Sequence, residues 1–548
     1  MANNRKNSKK TKILLVCGVL LLAAVSASWT ISEGTLGNHE CFVSITAREM
    51  LASGDWVWPT CNGEPRLVKT PLSYWLVAGL AKITGRVDEF TARLPSVVSA
   101  VLSVAAILYF VNYCVSFRTA LICAAVWATS LNYIRSAHNA RPEMAMTFFI
   151  VLAFLSFYSA VIAQSRKRQI VYAIIFWLSF ALANLAKGPA PLPFILIPLF
   201  FYIAIFRKWR ILPKLLPIIG PLIFLGIVLP WPLAIAHKLN WDMRLWKTEF
   251  VDRFLGEYRP GGKPFYYYSF IMFQFIVPWV VFLPMALVAP FYRVWNKKRF
   301  LMQFLWLWFV VGIVFLTICG GKRQHYILPL MPAMAILIGI LIEDMVFIRK
   351  AYDLKFAKTV LVGHFVCLIA FAVAGSVYLI KIYPDMIAEA IILGAATIIF
   401  TVAVFVLFAV GRPAAACGTL FGGIVVLVMI GYVTFLNPLD YNRYSRDFSR
   451  RLAQIVPQSD NLIAYEYISN RSVHYFGRVI PEITDKSVLY ERYEQGDWVV
   501  ATAGHLEKLE TDGKMKTVYY KQKAERRWQH DAPGAMFHKS TPFVAKEP

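Results

Sequence analysis

Cations and carboxylates cluster where apolar runs of this chain end. One stretch carries His39-Glu40, Arg48-Glu49, Gly54-Asp55-Trp56, Asn62-Gly63-Glu64-Pro65, Lys69-Thr70-Pro71 and Asp88-Glu89, followed by Arg93-Leu94-Pro95. Further along come Arg141-Pro142-Glu143, Lys187-Gly188-Pro189 and Gly321-Lys322-Arg323-Gln324-His325-Tyr326. A separate segment, 237–265, holds Glu249, Asp252, Arg253, Arg259 and Lys263. A carboxylate can take the proton from an attacking hydroxyl. Lysine and arginine can stabilise the charge that develops on a departing phosphate. Mixed at a lipid boundary, such groups suit the removal of a sugar from a polyprenyl phosphate, whose lipid tail keeps the reaction at the membrane.

The elements that must position these residues are membrane spans. Of the 548 residues, 58% are hydrophobic and only 16% charged, against roughly 25% charged in a soluble domain. Mean hydropathy is +0.54. The net charge of +25 does not mark a nucleic-acid binder, because the basic residues lie in short clusters between apolar segments, as a topology signal does. A span needs about 20 apolar residues, and about thirteen such runs are present, near 13–31, 90–112, 118–136, 142–163, 170–186, 189–206, 213–236, 266–290, 301–319, 325–343, 358–380, 387–410 and 414–436. The first follows Arg5, Lys6, Lys9, Lys10 and Lys12 and reads as an uncleaved span with a cytoplasmic N-terminus. Every second connection is then cytoplasmic. These carry Arg166-Lys167-Arg168, Arg207-Lys208-Trp209-Arg210, Arg293 with Lys297-Lys298-Arg299, Arg349-Lys350 and Arg412. The expected architecture is an α-helical polytopic protein of a plasma (inner) membrane. A membrane domain covers 1–436, with outer loops at 32–89 and 237–265, and a small α/β extracytoplasmic domain covers 437–548.

Two segments of the first outer loop, Val43 to Ser53 and Leu72 to Ile83, read as interfacial helices. In the last domain, Leu462 to Tyr467, Asp497 to Thr502 and Lys516 to Tyr520 read as strands, and Arg471 to Phe476 and Ser487 to Tyr493 as helices. Several charged motifs have a plain alternative. Arg48 and Glu49 read as solvating an interfacial helix. Asp55 sits either in a site or in a turn beside an interfacial anchor, Trp56. Lys187 either serves the site or snorkels. Lys322 and Arg323 run against the positive-inside trend and read as phosphate contacts. His364, mid-span, reads as packing. Of the eight cysteines none forms a Cys-x-x-Cys pair, and Cys41 and Cys61 share an outer loop where a disulfide is possible.

Taken in order, these motifs resemble the aminoarabinose-to-lipid-A transferases, within the protein O-mannosyltransferase-like group of GT-C glycosyltransferases. The resemblance rests on His39-Glu40 through Met50-Leu51, Ser53 to Trp56, Asn62 to Pro65, Lys69 to Leu72, Tyr74-Trp75, Ala92 to Pro95, Arg141 to Glu143, Lys187 to Pro189, Arg253-Phe254, Pro278-Trp279 and Lys322 to Pro329. It spans roughly residues 30–335. It implies a GT-C fold, a polyprenyl-phosphate (undecaprenyl-type) sugar donor, and inverting transfer to a lipid or cell-envelope glycan. It also implies donor-phosphate contacts from Lys69, Arg253 and Tyr326, joined by Lys322 and Arg323 from the reading above.

This chain departs from the family at the expected base. The group carries Asp-Glu where His39-Glu40 stands, with Phe42 and Val43 in place of a following Arg and Tyr. Glu40 is therefore the expected base, with His39 and Asp55 as the other catalytic candidates. Glu143, Arg141 and Lys187 complete the set. Val68 and Phe250 stand where relatives place metal-ligand candidates, so no metal cofactor is expected. Two other classes share many of these features: a lipid-linked-sugar flippase or transporter, and a degenerate polyprenyl-phosphate-binding member. Near-absence of ionisable residues at mid-membrane weighs against the former. With thirteen spans, residue 1 is cytoplasmic and residue 548 outside. Reporter fusions at the two ends should report opposite sides; the same side would mean that the span count is off by one.

Overall fold

In the computed structural model the chain is a helical bundle capped by a small mixed domain. The structure describes every residue except 1, 243, 253–262, 296–297, 441–442, 503–504, 506–508, 510–516, 521–541 and 546–548. The helices that bear on the site are α1 (Ala2–Ser28), α2 (Asn38–Ser53), α3 (Leu72–Thr84), α4 (Glu89–Cys114), α5 (Phe117–Ala128), α6 (Leu131–Ala137), α7 (Pro142–Ile162), α8 (Arg166–Lys187) and α9 (Pro191–Ile205).

All thirteen apolar runs fall on helix, but not as thirteen uninterrupted spans. Among the described residues, 9 helices are long and apolar enough to cross a membrane. A tenth candidate, Trp209–Leu215 with Ile219–Val228, is bent by 60°. The run 266–290 is split at Pro278 into Tyr267–Phe275 and shorter turns, because proline cannot donate the next helical hydrogen bond. The run 118–136 breaks where the Thr129 and Ser130 hydroxyls bond back to the carbonyls of Ala125 and Val126. His364 packs against Trp279 and Phe282, as expected of a mid-span histidine.

Both segments of the first loop expected to be helical are helices, and α2 shows how that layer is built. Its N-terminus is closed by Glu40, whose Oε2 accepts from the Gly37 amide at 2.7 Å, the carboxylate half of a capping box. Its C-terminus stops at Gly54, in the left-handed region at φ 72°, where a side chain would be strained. One face buries Val43, Ala47 and Met50 against Tyr74, Val77 and Ala78 of α3. Another buries Cys41 and Ile45 in a core shared with Phe448, Leu452, Val473 and Trp498. Residues beyond 436 thus share one core with the first loop and keep a second, around Ile463, Leu489 and Val499, to themselves.

That terminal region is a five-stranded sheet of order β4-β3-β5-β7-β6. Here β1 (Thr60–Cys61) and β2 (Glu64–Pro65) make a hairpin in the first loop, and β3 (Leu462–Tyr465), β4 (Glu482–Ile483), β5 (Trp498–Thr502), β6 (Thr517–Tyr520) and β7 (Pro542–Ala545) make the sheet. Strands β4, β3 and β5 are parallel, and β7 runs antiparallel to both β5 and β6. The three expected strands and two expected helices are present. A helix at Arg443–Ile455 and strands β4 and β7 were not anticipated.

Contacts across this interface correct the reading of Arg48 and Glu49 as solvated. Arg48 donates to the carbonyls of His474 and Val473 at 2.9 and 3.3 Å. Glu49 accepts from the amides of Asn62 and Gly63 and from the Thr60 hydroxyl. It thereby holds an Asn-Gly turn in which both residues have positive φ. Asn62 in turn pairs with Ile480 through two 2.8 Å bonds. Cys41 and Cys61 are both buried free thiols, not a disulfide.

Glu40 is committed to the scaffold. It is 5% exposed. Its carboxylate takes two bonds from Arg93, at 2.9 and 3.2 Å, and one from the Ala140 amide at 2.8 Å, besides that from Gly37. The expectation of Glu40 as base is thus corrected: every bond it makes points into the protein. Removing one partner of a buried, hydrogen-bonded pair costs about 3–5 kcal/mol, while replacing both by apolar groups costs far less. Glu40→Ala should lower the melting point strongly, and Glu40→Leu with Arg93→Met should recover much of the loss. Equal melting of the wild type and Glu40→Ala would remove the clamp.

His474 links the stability of this interface to pH. Burial, followed by the nearby charges of Arg48 and Arg450, pushes its imidazole down to about 3, and Nδ1 pairs with the Ser44 hydroxyl at 3.0 Å. The unfolded chain takes a proton near 6.5, the folded chain near 3. Stability is therefore full above pH 6.5 and falls as pH drops toward 3, by about 1.4 kcal/mol per pH unit. His474→Gln should flatten the pH dependence of unfolding between pH 6.5 and 4; an unchanged slope would contradict it.

Candidate active site

Where α2, the Arg66–Tyr74 segment, the start of α7, the end of α8 and the Arg323–Tyr326 turn meet, they enclose a cavity of about 400 Å³. Each element delivers its side chain for a local reason. Pro142 at the first position of α7 fixes the turn that aims Glu143 inward. Gly188, at φ 67°, ends α8 just after Lys187, and its amide donates to the Thr70 hydroxyl at 2.8 Å, tying the first loop to α8. The Tyr268 hydroxyl bonds both the amide and the carbonyl of Arg323, fixing the turn before Tyr326.

The electrostatics are lopsided. Arg66, Lys69, Arg141, Lys187 and Arg323 line the cavity against two carboxylates, Glu143 and Glu249. Five cations against two anions leave a formal excess of +3. Glu143 Oε1 pairs with Lys187 at 2.9 Å and lies 3.3 Å from His325 Nε2. Lys187 Nζ also sits 5.0 Å from the centre of the Tyr326 ring. Lys69 is ion-paired with Glu249. Arg66 stacks 3.7 Å over Phe42 and donates to the Tyr74 hydroxyl. Among the described residues three buried polar atoms of the cavity lining have no protein partner: Glu143 Oε2, Arg141 Nε and Ser73 Oγ.

The sequence candidates therefore sort unequally. His39, Lys69, Tyr326, Arg323, Arg141, Glu143 and Lys187 converge on the cavity. Glu40 does not. Asp55 does not either: it is a turn residue that accepts from the amides of Val57 and Trp58 and pairs with Lys238 at 3.2 Å. Lys322 turns back to the Cys319 carbonyl at 2.9 Å and is absent from the cavity wall. Arg253 lies outside the described residues. His39 is depressed below its ordinary value by burial and then by the charges of Arg141 and Arg323, so its imidazole is a neutral acceptor at pH 7. Arg66 was missed, although a cation three residues before Lys69, with Tyr74 just beyond, was a usable signal. His325 was quoted within a motif but given no role.

The polar cavity opens onto an apolar groove of about 260 Å³. Pro189, Pro193 and Phe194 form one side, Phe315 and Leu316 the other, and Lys69, Lys187, Glu249 and Tyr326 belong to both spaces. A headgroup-sized cationic chamber thus continues into an oily channel. Among the described residues, no group of three or more His, Cys, Asp or Glu side chains is placed to hold a metal ion.

Comparison with known proteins points the same way. Residues 68–233 match the family described as dolichyl-phosphate-mannose-protein mannosyltransferase. The chain is 28% identical over 316 residues to the undecaprenyl phosphate-alpha-4-amino-4-deoxy-L-arabinose arabinosyl transferase of Pseudomonas aeruginosa, covering 56% of each chain. An uncharacterised protein of Aquifex aeolicus is 28% identical over 363 residues, which is 66% of this chain and 78% of that one. The chain thus spans little more than half of the Pseudomonas enzyme's length. In structure it is similar to ArnT from Cupriavidus metallidurans bound to undecaprenyl phosphate, with a TM-score of 0.79, 17% identity and 97% of both chains covered. It is more distantly similar to the oligosaccharyltransferase AglB from Archaeoglobus fulgidus, with a TM-score of 0.51, 10% identity, and 90% and 70% of the two chains covered. With the motifs in order, a family segment matched over residues 68–233 and the fold shared from end to end, the chain has the GT-C fold and is similar in sequence to the aminoarabinose transferases.

Proposed function

We propose that this chain is an inverting glycosyltransferase that moves a sugar from a polyprenyl-phosphate carrier to a lipid or cell-envelope glycan on the extracytoplasmic face. The observation that carries this reading is the continuity of the cationic chamber with the apolar groove through Lys69, Lys187, Glu249 and Tyr326. The carrier's phosphate suits the chamber and its isoprenoid tail suits the groove. The arabinosyl transferase and the ArnT complex similar to this chain carry undecaprenyl phosphate in their names, which supports the same donor class here.

In this mechanism the acceptor oxygen attacks the anomeric carbon from the face opposite the phosphate. The new carbon–oxygen bond forms as the bond to the carrier phosphate breaks, and the electron pair leaves with the phosphate. Lys69, Tyr326 and Arg323, with Arg253 from the sequence, are the proposed contacts to that phosphate, whose growing charge the cationic excess stabilises. The acceptor's proton passes to Glu143, whose Oε2 has no protein partner. Lys187 and His325 hold its other oxygen. His39, a neutral imidazole on the same wall, is the second candidate and stands where the family keeps its aspartate.

Loss of a general base slows turnover on the order of a hundred- to ten-thousand-fold. Glu143→Gln should fall in that range while still binding polyprenyl phosphate, and His39→Asn should fall less. Near-normal turnover in Glu143→Gln with abolished turnover in His39→Asn would reverse the assignment. Mass spectrometry of envelope lipids and glycans with and without the gene should reveal a missing sugar substituent. Unchanged glycans together with no polyprenyl-phosphate binding by the purified chain would overturn the function.

A further inference from the structure

The helix pair α7–α8 carries a second, larger cavity at its other end. Glu143 and Lys187 mark the end at the polar chamber. The second cavity, about 710 Å³, lies beside Ser159 of α7 and Lys167, Arg168 and Tyr172 of α8. Sixteen residues of helix separate Glu143 from Ser159, about 24 Å at 1.5 Å per residue. That is most of a bilayer's hydrocarbon thickness of about 30 Å. The cavity therefore opens near the opposite membrane boundary. Its volume is that of a ligand site, roughly 300–1,000 Å³.

The walls specify what fits. α7 forms the floor and packs against both α4 and α8, which form the sides. The floor presents Leu152, Leu155, Ser156 and Ser159. Both serine hydroxyls are already bonded to α7 carbonyls, at 2.5 and 2.8 Å, so the floor offers a hydrocarbon-like surface with few free donors. The sides are bridged by the Tyr109 and Tyr172 hydroxyls, 3.1 Å apart. Tyr109 is 59% exposed and Val171 48%, which makes this an open groove on the bundle's outer surface.

Charge sets the polarity of the guest. Arg166, Lys167 and Arg168 begin α8, whose first turn has no acidic residue. Cations there oppose the helix dipole, which favours anions at that end. Among the described residues none of the three has a carboxylate within ion-pair distance, and no carboxylate lines the groove. Two cations, helix amide groups and an oily trough form one surface. A second copy of the chain would bring like charges face to face.

We propose that this groove is a binding site for one anionic phospholipid, with its phosphate at Lys167 and Arg168 and an acyl chain lying along α7 beneath Tyr109 and Tyr172. Basic pockets between transmembrane helices recognise such headgroups, and each cation near an anionic surface contributes about 1 kcal/mol. A lipid here would brace the ends of α4 and α8 whose far ends carry Arg93 and Lys187. The site is independent of the glycosyltransferase reading and remains if that reading fails.

Native mass spectrometry of the full chain, delipidated in detergent and titrated with phosphatidylglycerol, cardiolipin or phosphatidylcholine, tests the proposal. The wild type should retain one anionic lipid at concentrations where phosphatidylcholine is lost. Lys167→Gln with Arg168→Gln should weaken that binding on the order of tenfold or more, since two such cations are removed. Leu155→Trp, which fills the trough, should also weaken it. Arg207→Gln with Lys208→Gln, which removes two basic residues that do not line the groove, should leave it intact. Equal retention of charged and zwitterionic lipids, or unchanged binding in the Lys167/Arg168 variant, would overturn the site. So would a dimer that forms only without lipid and is lost in that variant, since the groove would then be a protein interface.

Discussion

Arg93 places all five of its guanidinium N–H groups inside the protein. It donates to both oxygens of Glu40 and to the carbonyls of Ile31, Gly34 and Thr35. A planar fork with five fixed donors can gather three chain segments in one plane, which an ammonium cannot do. The segments gathered are the exit from α1, the start of α2 and the first turns of α4. Glu40 extends the same network to the Ala140 amide, immediately before Arg141 and the α7 turn. The α2 and α7 walls of the polar chamber are thus both referred to one buried ion pair. The pair's desolvation is costly, and a full set of hydrogen bonds is what makes it tolerable.

A chamber with five cations and two carboxylates carries an electrostatic cost of its own, because like charges repel more strongly where water is scarce. The protein offsets part of this by pairing Lys187 with Glu143 and Lys69 with Glu249, and by laying Arg66 over Phe42. The remainder is a standing preference for an anion. Pro189 and Pro193 at the start of α9 then open the apolar path beside it. A diffusible sugar nucleotide would have no use for that path, whereas a lipid phosphate uses both halves.

The parts of this arrangement that were legible in the sequence are those set by local chemistry. Apolar run length located the long helices of the bundle but not Arg443–Ile455, and Pro278 explains why the run 266–290 breaks. Lys69, Arg141, Glu143, Lys187, Arg323 and Tyr326 were identifiable as polar groups at span ends. Long-range contact was not legible. Nothing in the local pattern of Arg48-Glu49 says that one binds the carbonyl of His474 and the other an Asn-Gly turn. Asp55 shares its residue type with a catalytic base, but its Oδ1 is taken by the amides of Val57 and Trp58 and its Oδ2 by Lys238. Lys322 and Arg323 are adjacent, yet the backbone turn sends one to a carbonyl and the other into the chamber.

The rotation of α2 limits which of its side chains can serve chemistry. Successive residues on a helix point about 100° apart, so the rotation of α2 decides which of its side chains reach the chamber. That rotation is fixed from two sides. Glu40 is pinned by Arg93, and Cys41, Ser44, Ile45 and Arg48 are pinned by the terminal sheet domain. His39, Phe42 and Val43 are what remains to face the cavity. Turning Glu40 inward would break four hydrogen bonds and pull Cys41 and Ile45 from a packed core. The only titratable group α2 presents to the chamber is therefore a neutral imidazole. Under the proposed function a carboxylate base comes from elsewhere on the wall, and Glu143, with one oxygen held by Lys187 and the other unpartnered, is the proposed one.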